Sequence, residues 1–224
     1  MKYKLFALVA VISFAFAFGI ISADAATYGD LTYEISNNQV TITDCSESPT
    51  LVDIPSEIDG YPVTAIGPEA FRDCTGLTSI VIPDSVTEFG DDAFFHCKGL
   101  TSITIPDGVT TIGRGTFEGC KMLADVSLPD SVTTIGFCVF RDCDSLMSVT
   151  LPDGVTNVED ETFYNCSNLT SVIMPNSVTS IESRAFYNCY SLTNVEIGHG
   201  LCEFSDTSFE KCLKLSNLNR RIEN

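Results

Sequence analysis

The chain has 224 residues and carries 30 Asp and Glu side chains against 12 Lys and Arg, a formal net charge of −18 at pH 7. So acidic a surface argues against binding to nucleic acids and to anionic membrane surfaces. The sequence contains no tryptophan, which mildly disfavours the aromatic platform that many sugar-binding proteins use.

Residues 1–25 have the pattern of a secretory signal peptide. Two lysines precede an apolar run over residues 5–21, and the Ala-Asp-Ala at residues 23–25 fits a small-x-small cleavage site. We therefore expect cleavage before Ala26 and secretion of the remainder. The alternative is an uncleaved membrane anchor, for which a run of about 17 residues is at the short limit. No later stretch is long enough to span a membrane.

Residues 26–50 are expected to form a hairpin that caps the first repeat. Apolar side chains alternate over residues 31–35 and again over residues 40–42, with Asn37-Asn38 between them. This is the pattern of two antiparallel strands joined by a tight turn.

From residue 71 onward, three residue types recur with a period of 23. A Phe is followed three residues later by a Cys and three residues after that by a Leu, in seven successive copies. A fixed period in the twenties is typical of a leucine-rich repeat solenoid. The copies are Phe71, Phe94, Phe117, Phe140, Phe163, Phe186 and Phe209, then Cys74, Cys97, Cys120, Cys143, Cys166, Cys189 and Cys212, then Leu77, Leu100, Leu123, Leu146, Leu169, Leu192 and Leu215.

Each 23-residue repeat, called a rung below, predicts two short extended pieces with a turn between them, followed by a helical turn. The L-x-x-I-x-I segment, as at residues 100–105, alternates with a period of two and favours a short parallel strand. Pro followed by Asp or Asn then predicts a turn, and a second extended piece with the sequence V-T-x-I follows. The F-x-x-C spacing, as in Phe117 and Cys120, favours a short helical turn with both side chains facing the core.

The solenoid is expected to span residues 51–215. A single rung buries too few apolar side chains to offset the ordering of its backbone, so rungs must stack to be stable. The first repeat, over residues 51–71, is irregular, with an inserted turn around Asp59-Gly60. The pattern fades after Leu215, and residues 216–224 are expected to form a charged C-terminal tail.

The string F-x-x-C-x-x-L-x-x-[IV]-x-[IL]-P-[DN]-x-V-T-x-I closely resembles the BspA-type leucine-rich repeat family. That resemblance implies a strand-rich solenoid and a secreted or surface protein, and several members of the family act as adhesins toward host matrix proteins or other cells. The copies that carry it lie at residues 71–89, 94–112, 117–135, 140–158 and 163–181.

The seven repeat cysteines are predicted to be buried, reduced structural thiols. They share one inward register, and a free cysteine packs as a small hydrophobe. Disulfides and zinc are the alternatives, but seven is an odd number and no C-x2-C pair offers converging zinc ligands. Three further cysteines, Cys45, Cys138 and Cys202, lie outside this register, and Cys138 is expected to be exposed.

The outward residues of the predicted front strands are the candidate binding site, because solenoids use such a stacked face as an extended binding surface. The alternative is that these short side chains merely form a solvated strand face. The candidates are Ser79, Val81, Ser102, Thr104, Asp125, Ser127, Ser148, Thr150, Ser171, Ile173, Asn194 and Glu196.

No catalytic site, metal site or cofactor is predicted. A column of acidic residues follows the prolines, but one carboxylate per rung is sparse for calcium, which takes six to eight oxygens. The two histidines, His96 and His199, share no motif with a Ser or Cys nucleophile.

We therefore expect a secreted or cell-surface scaffold that binds an extracellular protein or glycan, without catalysis, without a nucleic acid partner and without a membrane span after signal cleavage. Two alternatives remain open at this point. One is a carbohydrate-binding module for wall or mucosal glycans, and the other is a structural surface-layer component.

Overall fold

The computed structural model describes residues 26–45, 49–216 and 218–220. The predicted signal peptide lies outside the described residues. What the structure shows is a β-solenoid of about seven turns, as the sequence predicts. The described residues form only short strands, because each rung changes direction at a Pro turn and again at the Phe and Cys segment.

Nineteen strands are present in the described part of the chain. They are β1 (Ala26–Tyr28), β2 (Leu31–Ser36), β3 (Gln39–Cys45), β4 (Leu51–Asp53), β5 (Glu57–Ile58), β6 (Tyr61–Ile66), β7 (Ser79–Val81), β8 (Glu88–Phe89), β9 (Ser102–Thr104), β10 (Thr111–Ile112), β11 (Asp125–Ser127), β12 (Thr134–Ile135), β13 (Ser148–Thr150), β14 (Asn157–Val158), β15 (Ser171–Ile173), β16 (Ser180–Ile181), β17 (Asn194–Ile197), β18 (Glu203–Phe204) and β19 (Leu218–Arg220).

An antiparallel hairpin begins the array. β2 pairs with β3, and the turn between them places Asn37 and Asn38 at φ 52° and 61°, a left-handed conformation that asparagine tolerates well. β3 then pairs in parallel with β6 of the first rung. A second link is the Tyr33 hydroxyl, which donates to Asp59 Oδ2 at 2.6 Å. Burial and the nearby Asp59 carboxylate raise the pKa of Tyr33 to about 12.

Two parallel ladders run along the solenoid. The front ladder holds one three- or four-residue strand per rung, from β4 to β19, and the second ladder holds the two-residue strands from β8 to β18, joined to the hairpin through β6. Pairing advances by one period, so that Ser148 lies opposite Ser171. The predicted strand and second extended piece of each rung are thus confirmed, and β19 carries the front ladder beyond residue 215.

The predicted helical turn of each rung is wrong. The segment from Glu69 to Cys74 and its counterparts, called the turn edge below, form stacked turns instead. Two residues in each of the first six turns adopt left-handed φ, as in Asp92 at 56° and His96 at 57°, and Lys211 alone does so in the last turn. Such residues cannot continue a right-handed helix. The backbone N–H of Phe94 therefore donates to Thr116 in the next rung, at 2.9 Å, rather than along a helix.

The core consists of the repeat side chains stacked rung upon rung. The Phe117 ring lies between Phe94 and Phe140, with centroids 5.6 and 5.7 Å away and nearly parallel planes. Both separations are slightly larger than the 4.7–4.9 Å between paired strands, so one ring fits each rung. The Phe, Leu and front-strand apolar positions from rung to rung are buried together in one continuous cluster.

The repeat cysteines occupy the same core and add a hydrogen bond. Cys120 Sγ donates to the backbone carbonyl of Phe94 in the preceding rung at 3.2 Å, and Cys143 Sγ donates to Phe117 in the same way at 3.2 Å. The repeat cysteines from Cys74 to Cys189 are buried, and Cys212 is half-buried in the last turn. Each of these thiols thus joins its own rung to the preceding one.

Candidate functional site

The twelve candidate residues lie together on the outside of the front ladder. In each strand the middle residue is buried, as Val126 is in β11, while its two neighbours point outward. Alternation of side chains along a strand imposes this arrangement. With Asp84, Asp107, Asp130, Asp153 and Asn176, which follow the prolines, these outward side chains form what is called the front face below.

The front face changes character along its length. Its outward residues from Ser79 to Thr150 are exposed, whereas those of β15 and β17 are half-buried. Side-chain hydrogen bonds hold the latter part together: Asn194 Nδ2 donates to Ser171 Oγ and to Glu196 Oε1, both at 3.3 Å. The first four of these rungs therefore present the more accessible surface.

A seam crosses the front face between two rungs. Hydrogen-bonded pairing stops between β11 and β13 in the front ladder and between β12 and β14 in the second ladder. Within the described residues, both ladders are interrupted together at this position alone. The seam opens on the front face as a cleft of about 490 Å³, whose polar lining comprises Asp125, Ser127, Asp130, Ser148, Thr150 and Asp153.

A column of glycines ends at the seam. Gly113 and Gly136 lie so close to the preceding rung that a Cβ on either would come within 3.0 Å of its backbone. The equivalent residue of the next rung is Glu159, which brings a Cβ into this column for the first time after Gly67. The second ladder is interrupted between these two rungs, and its pairing resumes from β14 onward although Glu182 and Ser205 also carry a Cβ at this position.

Sequence comparison identifies the repeat. The profile of the BspA type leucine-rich repeat region matches this chain in six copies, over residues 50–167 and 110–223.

The chain belongs to the BspA-type leucine-rich repeat family.

Two solved bacterial structures resemble this BspA-type chain. The leucine-rich repeat protein of T. pallidum is 29% identical, with a TM-score of 0.79, over 87% of this chain and 92% of that one. A leucine-rich repeat protein of Bacteroides ovatus ATCC 8483 is 30% identical, with a TM-score of 0.69, over 83% of this chain and 56% of that one. Among curated proteins, no sequence matches this chain.

BspA-type repeat proteins are typically surface or secreted proteins, and leucine-rich repeat scaffolds are in general non-catalytic and bind proteins. Across the part of this chain that the structure describes, no helix has the length and apolar character needed to cross a membrane.

The front face of this BspA-type protein carries charge of a single sign. The segments that form β7, β9, β11, β13, β15 and β17 together with the turns after them contain six carboxylates and neither Lys nor Arg. These carboxylates are Asp84, Asp107, Asp125, Asp130, Asp153 and Glu196.

The turn edge, in contrast, carries side chains of both charge signs in close contact. Arg141 Nη1 lies 2.7 Å from Glu161 Oε2 in the next rung, and its guanidinium packs 5.0 Å from the centroid of the Tyr164 ring. Arg114 Nη2 lies 3.1 Å from Asp92 Oδ2 in the preceding rung. Like the turn-edge backbone bonds, these ion pairs join neighbouring rungs.

The other residues weighed from the sequence lie away from the front face. His96 stands on the turn edge with Nδ1 3.3 Å from Asp73 Oδ1. Cys138, expected to be exposed, is half-buried beside Arg141, and burial raises the pKa of its thiol. Cys202 is exposed. Within the described residues, no group of three or more His, Cys, Asp or Glu side chains is arranged to hold a metal ion.

Sequence reasoning missed the cleft at the seam. The only signal for it was the replacement of glycine by Glu159 after Gly67, Gly90, Gly113 and Gly136. A comparison of exposed positions between rungs, rather than of the apolar ones, would have found it.

Proposed function

We propose that this chain is a secreted or cell-surface adhesion scaffold that binds an extracellular protein through its front face and catalyses no reaction. The observation that carries the proposal is the front face itself. It extends over successive rungs with exposed, short side chains between Ser79 and Thr150. Binding through such a surface draws on many small contacts, so no single residue should dominate the affinity.

The family supports the same proposal, since its members are in general protein-binding scaffolds found at the surface or secreted. The absence of catalysis is proposed because the histidines are placed for other contacts. His96 contacts Asp73 on the turn edge, and His199 lies in a turn where its backbone N–H donates to Asn176 Oδ1 at 2.9 Å.

A glycan ligand fits the front face less well. Sugar-binding sites commonly stack rings of the sugar on exposed aromatic side chains. Here the Tyr164 and Tyr187 rings stack on each other at 4.9 Å on the turn edge, where both are half-buried. The front face offers hydroxyls, carboxylates and the exposed Val81 instead.

The test uses residues 26–224 on an array of purified extracellular matrix proteins and glycans. The front-face variant is Ser127→Arg with Thr150→Arg, which places two long cationic side chains at the centre of the face. The matched control is Thr111→Arg with Thr134→Arg, two exposed threonines of the second ladder. Since all four sites are exposed, both variants should melt within about 2 °C of the unmodified chain.

We expect at least one array protein to be captured by the unmodified chain and by the control variant but not by the front-face variant. The proposal is overturned if no array protein is captured. It is also overturned if the front-face variant captures its ligand at full strength while the second-ladder variant does not.

A further inference from the structure

Cations and carboxylates are segregated on this molecule. The ion pairs of the described residues all join Lys, Arg or His of the turn edge and its flanking turns to carboxylates of the same region. Within the described residues, none of these ion pairs involves the exposed front-face carboxylates, which are Asp84, Asp107, Asp125, Asp130 and Asp153. The turn-edge carboxylates are therefore partly compensated by neighbouring cations, and the front-face carboxylates are not.

The uncompensated carboxylates lie close enough to repel one another. Asp107 and Asp130 occupy the same position in two paired rungs, which are separated by about 4.8 Å, and Asp153 occupies it in the next rung across the seam. That spacing is shorter than the Debye length of about 8 Å at physiological ionic strength. A ligand that brings positive charge to this column relieves the repulsion, which a neutral ligand does not.

The cleft at the seam concentrates this charge. Asp125, Asp130 and Asp153 lie on its lining together with the hydroxyls of Ser127 and Thr150. Met147, which directly precedes β13, leaves 56% of its surface exposed. Lys and Arg bury their aliphatic stems against apolar surface while keeping the charged group among polar partners. The combination suits a cationic side chain with a long stem.

We propose that the partner of the front face is a protein with a Lys- and Arg-rich segment, and that this segment docks across β9, β11 and β13 with a cationic side chain in the cleft at the seam. This inference rests on the proposed function and adds the chemistry of the partner. A free metal ion is a poorer occupant, since no group of three ligating side chains is present in the described part of the chain. Nucleic acids and anionic lipids are repelled by the same carboxylates.

The experiment compares two variants with equal changes in net charge. The front-face variant is Asp107→Asn, Asp125→Asn, Asp130→Asn and Asp153→Asn. The control variant neutralises four exposed carboxylates elsewhere on the described surface, namely Glu88→Gln, Asp160→Asn, Glu203→Gln and Asp206→Asn. The probes are fluorescent 16-residue peptides of alternating Lys and Ser, of alternating Glu and Ser, and of Ser and Gly, measured by anisotropy at 50 and 300 mM NaCl.

We expect the Lys peptide to bind the unmodified chain and the control variant with similar affinity, and the front-face variant about tenfold or more weakly, because four exposed charge pairs are lost. Its affinity for the unmodified chain should also fall by about tenfold between the two salt concentrations. The Glu peptide should not bind. The inference is overturned if the control variant loses as much affinity as the front-face variant, or if the Ser-Gly peptide binds as tightly as the Lys peptide.

The array experiment separates this inference from the proposed function. If an array protein is captured through the front face and the Asp→Asn variant captures it undiminished, the proposed function stands and the basic partner is refuted. If the Lys peptide behaves as expected while no array protein is captured, the basic site stands and the adhesion proposal is refuted.

Discussion

The buried repeat cysteines should make the protein unstable at alkaline pH. Burial raises the pKa values of the Cys97, Cys120, Cys143 and Cys166 thiols far above the usual range. These thiols stay protonated in the folded chain, whereas in the unfolded chain they ionise near pH 8.5. Because the folded pKa is the higher one, the stabilisation is complete below pH 8.5 and is lost as the pH rises above it.

The size of the effect follows from proton linkage. Between pH 7.5 and pH 9.5, a thiol with an unfolded pKa of about 8.5 that stays protonated when folded lowers the free energy of unfolding by about 1.4 kcal/mol. Four such thiols together lower it by about 5.6 kcal/mol, which is a large share of the 5–15 kcal/mol typical of a folded domain. The sum excludes four further thiols, because Cys45 interacts with Cys74 and Cys189 interacts with Cys212.

The assay is urea unfolding followed by circular dichroism at pH 7.5 and 9.5, with a phosphine reductant present throughout. Cys120→Ala should reduce the difference between the two pH values by about 1.4 kcal/mol. Cys202→Ala, which removes an exposed thiol, should leave it unchanged. A difference below about 1 kcal/mol for the unmodified chain, or an equal difference for Cys120→Ala, would refute the reasoning.

Two further predictions concern the core and the rung contacts. Phe117→Ala removes a ring stacked between Phe94 and Phe140 and should cost about 3–5 kcal/mol in urea unfolding; a cost below about 1 kcal/mol would mean that the site collapses around the missing ring. Gly113→Ala places a Cβ 2.7 Å from Asp91 N and should cost about 1–3 kcal/mol. Gly108→Ala, whose nearest contact is a side-chain methyl at 3.3 Å, is its control and should stay within about 1 kcal/mol of the unmodified chain.

The repeating part of this fold was predictable because every rung carries the same pattern of apolar and turn residues. Apolar residues at fixed positions predict the front strand and the second strand, and the Pro between them predicts the turn. A shift of one residue in the strand register would expose the apolar side chains that stack in the core. Val109 N–H donating to the Pro106 carbonyl at 3.0 Å closes the predicted turn, and the other regular rungs repeat it.

The F-x-x-C spacing alone could not distinguish a helical turn from the stacked turns that the structure shows, since a turn with left-handed residues also places both side chains inward. The residue before each Cys held the better signal. It is Asp73, His96, Gly119, Asp142, Asn165, Asn188 and Lys211, a set rich in the residues that tolerate left-handed φ. All seven adopt it.

The candidate site was predictable in outline only. The outward positions of the front strands follow from the period of two, whereas the seam coincides only with the change from Gly136 to Glu159, and later rungs without this glycine pair normally. The turn-edge ion pairs escaped prediction for the same reason, because they join positions that vary between rungs, as Arg141 and Glu161 do.

The seam also determines where this rod should bend. Strand pairing is interrupted there in both ladders, yet the turn edge stays closed: Phe140 N–H donates to the Thr162 carbonyl at 2.8 Å, and Asn165 Nδ2 donates to Asp142 Oδ1 at 2.7 Å. A joint that is fastened along one side and open along the other is a hinge. Because neither ladder supplies paired strands across this joint, tension on the two ends of the molecule should widen the acidic cleft here before it separates rungs that both ladders join.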